Sequence, residues 1–161
     1  MTPRQFQVRP MIQQDLHRVV EIANSLAEAP HWAIEAYQSA LDPDPPVPRI
    51  ALVAEESGRG RMVGLLVAKV VIPESELETI AVAADAQGAG VGGLLIEAMV
   101  EQLLKEQVAE VHLEVRSSNE RAQRLYRRYG FEQTASRARY YSDPIEDAVL
   151  MARYLAPAED E

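Results

Sequence analysis

"AVAADAQGAGVGGLLIEAMV", residues 81–100, marks the point where an apolar, strand-like segment gives way to an apolar helix. Four of the chain's eight glycines fall within the six positions 88–93. Glycine inside a helix costs about 1 kcal/mol relative to alanine, so such a cluster needs a reason. The first turn of a helix presents unpaired N–H groups and the positive end of the helix dipole, and glycines let a bulky anion approach them. The stretch therefore predicts a strand, a phosphate-binding turn and a helix.

The rest of the chain surrounds this turn with alternating strand and helix patterns. Hydrophobic residues recur at helical spacing in four segments: 12–28, a segment that follows Pro30 and runs to Leu41, 90–106 and 118–129. Seven segments have strand-like patterns: 5–9, 49–56, 61–72, 75–82, 109–116, 131–142 and 146–155. The glycine turn "SGRG", 57–60, joins the second and third strands into an antiparallel hairpin. This order predicts an α/β (α+β) fold in which helices flank a mixed sheet.

Length and composition indicate one domain. The chain has 161 residues, of which 47% are hydrophobic, which suffices for a single core and is too little for two ordinary domains. We assign residues 1–155 to that domain and residues 156–161, "APAEDE", to a solvated, disordered acidic tail. The oligomeric state is left open.

The net charge of −9 argues against binding to nucleic acid and favours cationic partners. The chain contains no cysteine, which excludes disulfides, thiolate metal sites and a cysteine nucleophile. Its N-terminus lacks an apolar leader, and the longest apolar run, "VGLLVAKVVI", is too short to span a bilayer. We therefore expect a cytoplasmic protein with no membrane partner.

Two other phosphate-binding patterns deserve comparison with the glycine turn. The P-loop pattern fails, because Leu94 follows Gly93 where a lysine is required. The dinucleotide pattern G-x-G-x-x-G is matched by Gly88, Gly90 and Gly93, and Glu114 follows at about the expected distance of 20 residues. However, antiparallel strands precede the turn, and too little chain follows for the second half of a dinucleotide-binding sheet. A nicotinamide oxidoreductase and a glycine turn without a ligand remain alternatives.

The motif "QGAGVG", 87–92, resembles the [RQ]-x-x-G-x-[GA] signature of the GNAT superfamily of acetyltransferases. Further on, "LEVR", "SN", "LYRRYGF" and "RYY" with "EDAVLM" resemble, in this order, the ribosomal-protein-alanine N-acetyltransferases over residues 76–153. The resemblance implies the GNAT fold, with a mostly antiparallel sheet of six to seven strands and about four helices. It also implies acetyl-coenzyme A as the cosubstrate and no metal.

The resemblance carries over a set of cofactor contacts. Backbone amides of the turn and helix start would hold the pyrophosphate: Gly88, Ala89, Gly90, Val91, Gly92 and Gly93. Backbone groups of Ile80, Ala81 and Val82 would line the pantetheine arm, and Asn119 would contact the cofactor or cap its helix. Gly88 and Gly93 stand where members of the family often carry cations, so backbone amides are expected to carry more of the phosphate binding.

The resemblance also assigns the chemistry. Glu114 matches the general base and Tyr126 the acid that protonates the departing thiolate. His112 projects from the same strand face as Glu114, and its reference pKa near 6.5 makes it a rival base. Tyr129 is a substitute for Tyr126. Trp32 would shape the peptide groove or anchor the core.

The predicted function is therefore the transfer of an acetyl group from acetyl-coenzyme A directly to the N-terminal α-amine of a protein or peptide. A ribosomal protein is the expected acceptor, and the acidic charge favours a basic one. A small-molecule amine or a lysine side chain is the alternative acceptor. A coenzyme A binding module without turnover is the alternative of a different class.

Overall fold

A computed structural model describes residues 4–155 of the chain. These residues form seven strands and four α-helices in the order predicted from the sequence. The strands are β1 (Phe6–Pro10), β2 (Arg49–Glu56), β3 (Arg61–Val71), β4 (Glu74–Val82), β5 (Glu110–Arg116), β6 (Glu132–Tyr141) and β7 (Glu146–Tyr154). The helices are α1 (Leu16–Asn24), α2 (Ile34–Ala40), α3 (Val91–Lys105) and α4 (Glu120–Arg128). The acidic tail predicted at 156–161 lies outside the described residues.

The strands form one mixed sheet in the order β1-β2-β3-β4-β5-β7-β6. Strands β4 and β5 pair in parallel, and the other neighbours pair antiparallel. The parallel pair is joined through α3, because parallel neighbours need a crossover connection. The predicted mixed, mostly antiparallel sheet and the predicted hairpin of β2 and β3 are confirmed.

The helices cover the two faces of the sheet and form two cores. On one face, α3 and α4 pack on the middle strands through residues such as Leu95, Met99 and Tyr126. On the other face, α1 and α2 pack on β2, β3 and the end of β4 through residues such as Val19 and Tyr37. Each core buries the apolar face of its helices. Among residues 4–155, none of the helices combines the length and hydrophobicity that crossing a membrane requires.

Strand β4 separates from β5 partway along its length. In the described chain three residue pairs join the two strands: Glu74–Glu110, Ser75–Val111 and Glu76–His112. Just beyond them, the register of β4 against β3 shifts at Glu78, between the paired residues Leu77 and Thr79. Such a bulge bends its strand and increases the local twist. The second half of β4 therefore diverges from β5 and leaves an opening between the strands.

The first helix is shorter than predicted. Helical spacing predicted residues 12–28, whereas α1 spans Leu16–Asn24 after a 3₁₀ turn at Gln13–Asp15. The Ser25 hydroxyl donates to the Ile22 carbonyl over 2.6 Å at the end of the helix. Serine side chains compete in this way for backbone groups, which favours helix ends over helix interiors. The apolar side chain of Leu26 continues the spacing without continuing the helix.

Candidate active site

The turn between β4 and α3 contains two glycines in the left-handed region. Gly88 has a φ of +82° and Gly90 a φ of +88°, values that other residues avoid. Among the described residues, no heavy atom beyond the chain neighbours lies within 4 Å of a Cβ placed on either glycine. The two glycines therefore leave open space beside the backbone, as a bulky anion requires.

The start of α3 supplies hydrogen-bond donors to this turn. The first helical bond runs from the Leu94 N–H to the Gly90 carbonyl, over 3.2 Å. The N–H groups of Val91, Gly92 and Gly93 precede that bond and have no helical acceptor. These amides and the positive end of the helix dipole are the features that bind phosphate groups.

Gly92 and Gly93 have a second role that the sequence did not reveal. A Cβ on Gly92 would come within 2.9 Å of the Leu125 Cδ2 atom, and a Cβ on Gly93 would overlap the Tyr129 hydroxyl. Both Leu125 and Tyr129 belong to the last turns of α4 and its C-cap. These two glycines therefore let α4 pack closely against the first turn of α3.

Gln87 connects the turn to α4. Its Nε2 atom donates to the Val82 carbonyl over 3.0 Å, and the Arg121 guanidinium donates to its Oε1 atom. This chain has Gly88 and Gly93 at positions where members of the family often have cationic side chains. The tertiary structure instead brings Arg121, from the first turn of α4, next to the glycine turn.

Ile80, Ala81 and Val82 lie on the part of β4 that has left β5. They pair with Leu66, Leu65 and Gly64 of β3 on one side. On the other side, no strand of the described chain pairs with them. Peptide groups on such an edge are available to an extended, amide-bearing ligand. The predicted backbone contacts thus border the opening.

Asn119 caps α4, as one of its two predicted roles required. Its Oδ1 atom accepts a hydrogen bond from the Ala122 N–H over 3.1 Å. At the other end of the helix, Gly130 has a φ of +92°, the conformation predicted for the residue after the helix. A direct contact of Asn119 with the cofactor remains a prediction.

Glu114 lies on the polar face of β5, in a groove of about 380 Å³ whose lining also includes Glu76 and His112. Burial alternates along β5: Val111, Leu113 and Val115 are buried and the residues between them are partly exposed. The groove opens on the same sheet face as α1 and α2. Val67 of β3 packs in the core of these helices, and Lys69, two residues further along β3, is on the same face and pairs with Glu76.

His112, the rival base, lines the same groove but contacts two acidic side chains. Its Nε2 atom lies 2.9 Å from a carboxylate oxygen of Glu110 and 3.9 Å from one of Glu74. These three side chains meet at the paired end of β4 and β5, below the opening. Glu114, two residues further along β5, lies where the strands have separated.

Two tyrosines at the end of β6 surround Glu114. The nearby Glu114 carboxylate raises the pKa of Tyr140. Burial, and then the charge of Glu114, raise the pKa of Tyr141 to about 12. Their rings meet edge to face, with centroids 5.0 Å apart. Both phenols therefore stay protonated at neutral pH and offer O–H donors beside Glu114.

Tyr126 lies on the other side of β5, in the core under α4. Its side chain is 7% exposed and packs edge to face on Phe131, with centroids 5.8 Å apart. Burial, and then the proximity of Tyr141, raise the pKa of Tyr126. The structure thus places Glu114 and Tyr126 on opposite faces of the sheet, and Tyr141 close to both.

The two remaining candidates, Tyr129 and Trp32, pack against the fold. The Tyr129 hydroxyl lies against Gly93, which is why a side chain at Gly93 would overlap it. Trp32 is partly buried and packs on the α1 and α2 core, with its ring centroid 5.3 Å from that of Tyr37. Trp32 therefore acts as a core anchor at the edge of the helices.

Sequence reasoning missed Tyr140, Tyr141 and Arg121. The tyrosines belong to the "RYY" motif that supported the resemblance, but no role was assigned to them. Arg121 is one of four arginines in α4, a density of positive charge that contrasts with the net charge of −9. That contrast was the available signal for a cation near the glycine turn.

The chain is similar to curated acetyltransferases. Ribosomal protein bS18-alanine N-acetyltransferase of Escherichia coli (strain K12) is 41% identical over 95 residues, and the match spans 58% of this chain and 64% of that relative. The chain thus matches less than two thirds of that relative's length. The enzyme of the same name from Haemophilus ducreyi is 29% identical over 151 residues, 92% of this chain and 99% of the relative.

The fold has a matching solved structure. The crystal structure of the ribosomal-protein-S18-alanine N-acetyltransferase from Escherichia coli superposes with a TM-score of 0.81 at 28% identity, over 98% of each chain. The acetyltransferase (GNAT) family matches residues 14–131, which include the glycine turn, the opening and Glu114. Because this match covers more than half of the sequence, the chain belongs to the acetyltransferase (GNAT) family.

Proposed function

We propose that this protein is an N-acetyltransferase that moves the acetyl group of acetyl-coenzyme A directly to the α-amine of a protein N-terminus, with a ribosomal protein as the acceptor. The observation that carries the proposal is the opening between β4 and β5. It has the glycine turn at one end and Glu114 at its side. The names of the relatives from Escherichia coli and Haemophilus ducreyi support the choice of acceptor.

The residues around the opening fit acetyl-coenzyme A. The open space at Gly88 and Gly90 and the free amides at the start of α3 suit its pyrophosphate. Arg121 adds a positive charge beside them. The free edge of β4 at 80–82 suits the amides of the pantetheine arm. When bound, acetyl-coenzyme A supplies a thioester whose carbonyl carbon is the electrophile.

Glu114 is the proposed base. The acceptor amine must lose a proton to become nucleophilic, and a carboxylate beside the opening is positioned to accept it directly or through one water. The phenols of Tyr140 and Tyr141 lie close to that carboxylate. Direct attack by the amine needs no covalent enzyme intermediate, which agrees with a chain that has no cysteine.

Tyr126 is the proposed acid. It lies on the opposite side of β5 from Glu114, so a thioester that enters between β4 and β5 would have one group on each side. The raised pKa of Tyr126 keeps its hydroxyl protonated at neutral pH. A neutral phenol can then give a proton to the sulfur that departs.

The charge of the groove favours a basic acceptor. Its lining includes Glu74, Glu76 and Glu114, and the cationic residue Lys69 is already paired with Glu76. The net charge of −9 adds a long-range attraction for cations. A positively charged protein N-terminus fits this surface better than an acidic one.

The test is acetylation of short peptides that begin with alanine, followed by thiol release and by mass spectrometry of the product. Titration of the protein with acetyl-coenzyme A measures binding separately. We expect saturable binding and one acetyl group on the α-amine. Control peptides with a blocked α-amine and a free lysine should not react. Acetylation of the blocked peptide, or of spermidine alone, would contradict the proposal, as would binding without thiol release.

A further inference from the structure

We propose that Glu76 determines acceptor specificity by binding a basic side chain on the residue that follows the acetylated one, with Lys69 as its counter-ion in the free enzyme. This inference rests on the proposed function and adds to it a residue that recognises the acceptor sequence. Glu76 forms the last β4 pair with β5, opposite His112, just before the strands separate.

The position of Glu76 relative to Glu114 suits two adjacent residues of a peptide. Glu76 is in register with His112, and Glu114 lies two residues further along β5 on the same face. Diagonal neighbours of this kind on adjacent strands lie about 7–8 Å apart. Consecutive Cα atoms of a peptide are only about 3.8 Å apart, but the stem of an arginine or lysine is long enough to cover the remaining distance. A peptide whose α-amine lies at Glu114 can therefore place a long basic side chain of its next residue at Glu76, within the same groove.

The pairing of Glu76 makes it available to an incoming cation. Its carboxylate lies 3.2 Å from the Lys69 Nζ atom, and the two side chains are 42% and 35% exposed. Exposed ion pairs of this kind contribute little to stability, so exchange of one cation for another costs little. A guanidinium can bind a carboxylate through two parallel hydrogen bonds, which a lysine cannot.

The other acidic residues nearby are less well placed to meet an acceptor that reaches Glu114. Glu110 contacts His112 at 2.9 Å, and Glu78 accepts from Arg49 over 2.8 Å. Glu74 also lines the groove, but it is in register with Glu110, two residues further from Glu114 along β5 than His112 is. By contrast, Glu76 lines the same groove as Glu114 and is in register with His112, two residues from Glu114 along β5. Glu76 is therefore the acidic side chain best placed to contact an acceptor that reaches Glu114.

The experiment compares two peptides that begin with alanine and differ at the second residue, arginine in one and the neutral isostere citrulline in the other. We expect the wild-type enzyme to prefer arginine by about tenfold in kcat/KM. Glu76→Gln should reduce that ratio to about two, mainly through KM. Lys69→Gln should raise the ratio about threefold, because it removes the competing cation. Glu101→Gln on α3 removes the same charge as Glu76→Gln from an exposed side chain, and it should leave the ratio unchanged.

The outcomes separate this inference from the function on which it rests. If the wild-type enzyme acetylates both peptides and the arginine preference is the same in Glu76→Gln, this inference is overturned while the proposed function stands. The same holds if Lys69→Gln lowers the preference. If the wild-type enzyme acetylates neither peptide, the proposed function is overturned and the inference with it. The opposite signs expected for the two variants exclude misfolding as a common cause.

Discussion

The guanidinium of Arg116 lies over the ring of Tyr141, with its Cζ atom 4.4 Å from the ring centroid. The same guanidinium donates to the Glu146 carboxylate over 3.3 Å, and Glu146 accepts a further bond from the Ser118 N–H. Arg116 therefore joins the β6–β7 hairpin to the end of β5 and the start of α4. This arrangement gives a physical reason for the joint occurrence of "RYY" and "EDA" in the sequence.

Arg116→Gln should lower the free energy of unfolding by about 1–2 kcal/mol, because it removes a cation–π contact and a charged hydrogen bond. Urea unfolding measures the change. Arg124→Gln is the matched control, since the Arg124 side chain is 70% exposed and its ion pair with Glu120 is long, at 3.9 Å. Equal stability of the two variants would mean that the hairpin does not depend on Arg116.

Glu114→Gln should lower kcat by about a hundredfold or more while the Kd for acetyl-coenzyme A changes little. The amide keeps the shape of the side chain and loses its ability to accept a proton. Steady-state kinetics and a cofactor titration measure the two quantities. His112→Asn is the comparison variant: if it loses activity while Glu114→Gln retains it, the base is His112.

Arg121→Gln should raise the Kd for acetyl-coenzyme A by about fivefold to tenfold and leave kcat nearly unchanged, because it removes a positive charge beside the phosphate-binding turn. Calorimetric titration at two salt concentrations checks this, since the loss should shrink as salt rises. Arg124→Gln again serves as the control one turn along α4. An unchanged Kd in Arg121→Gln would show that the backbone amides suffice.

Gly93→Ala should destabilise the fold by about 1–3 kcal/mol, because the added methyl group would overlap the Tyr129 hydroxyl. Helix propensity alone would predict the opposite, a gain of about 1 kcal/mol. The sign of the change in unfolding free energy therefore decides between packing and propensity. Leu94→Ala is the control, at a neighbouring position whose side chain is 41% exposed.

Asp15→Asn should lower the stability at neutral pH by about 1–3 kcal/mol, since Asp15 is buried and accepts from Arg9 and from the Ile12 N–H. Burial alone would raise the pKa of Asp15, but these hydrogen bonds outweigh it and hold the pKa below its usual 3.8. Because the pKa is lower in the folded than in the unfolded state, the ionised carboxylate stabilises the folded state at pH values above 3.8. This contribution is lost as the pH falls through the pKa of the folded state.

The difference in unfolding free energy between wild type and Asp15→Asn should therefore be constant near neutral pH and shrink below 3.8. Urea unfolding across this range measures it. Glu21→Gln is the control, because the Glu21 side chain is 69% exposed. A difference that persists undiminished in acid would show that the charge of Asp15 is unimportant.

Much of the fold was predictable because its signals are local. The cap at Asn119, the stop at Gly130 and the hairpin turn at 57–60 depend on the conformational preferences of one to four residues. Alternation along β5 placed Glu114 on the polar face for the same reason. The end of α1 was predicted less well, since helical spacing continues past the residue at which the helix stops.

The site also combines features set by local sequence with features set by long-range contacts. The amino-acid sequence by itself determined the glycine turn, the free amides at the start of α3 and the strand face of Glu114, since each follows from neighbouring backbone geometry. Only the tertiary structure decided that β4 leaves β5 at the Glu78 bulge, that Arg121 reaches Gln87 from 34 residues away, and that Tyr140 meets Glu114. These relationships depend on strand register and on how helices pack, and such long-range contacts leave no periodic signal in a single chain.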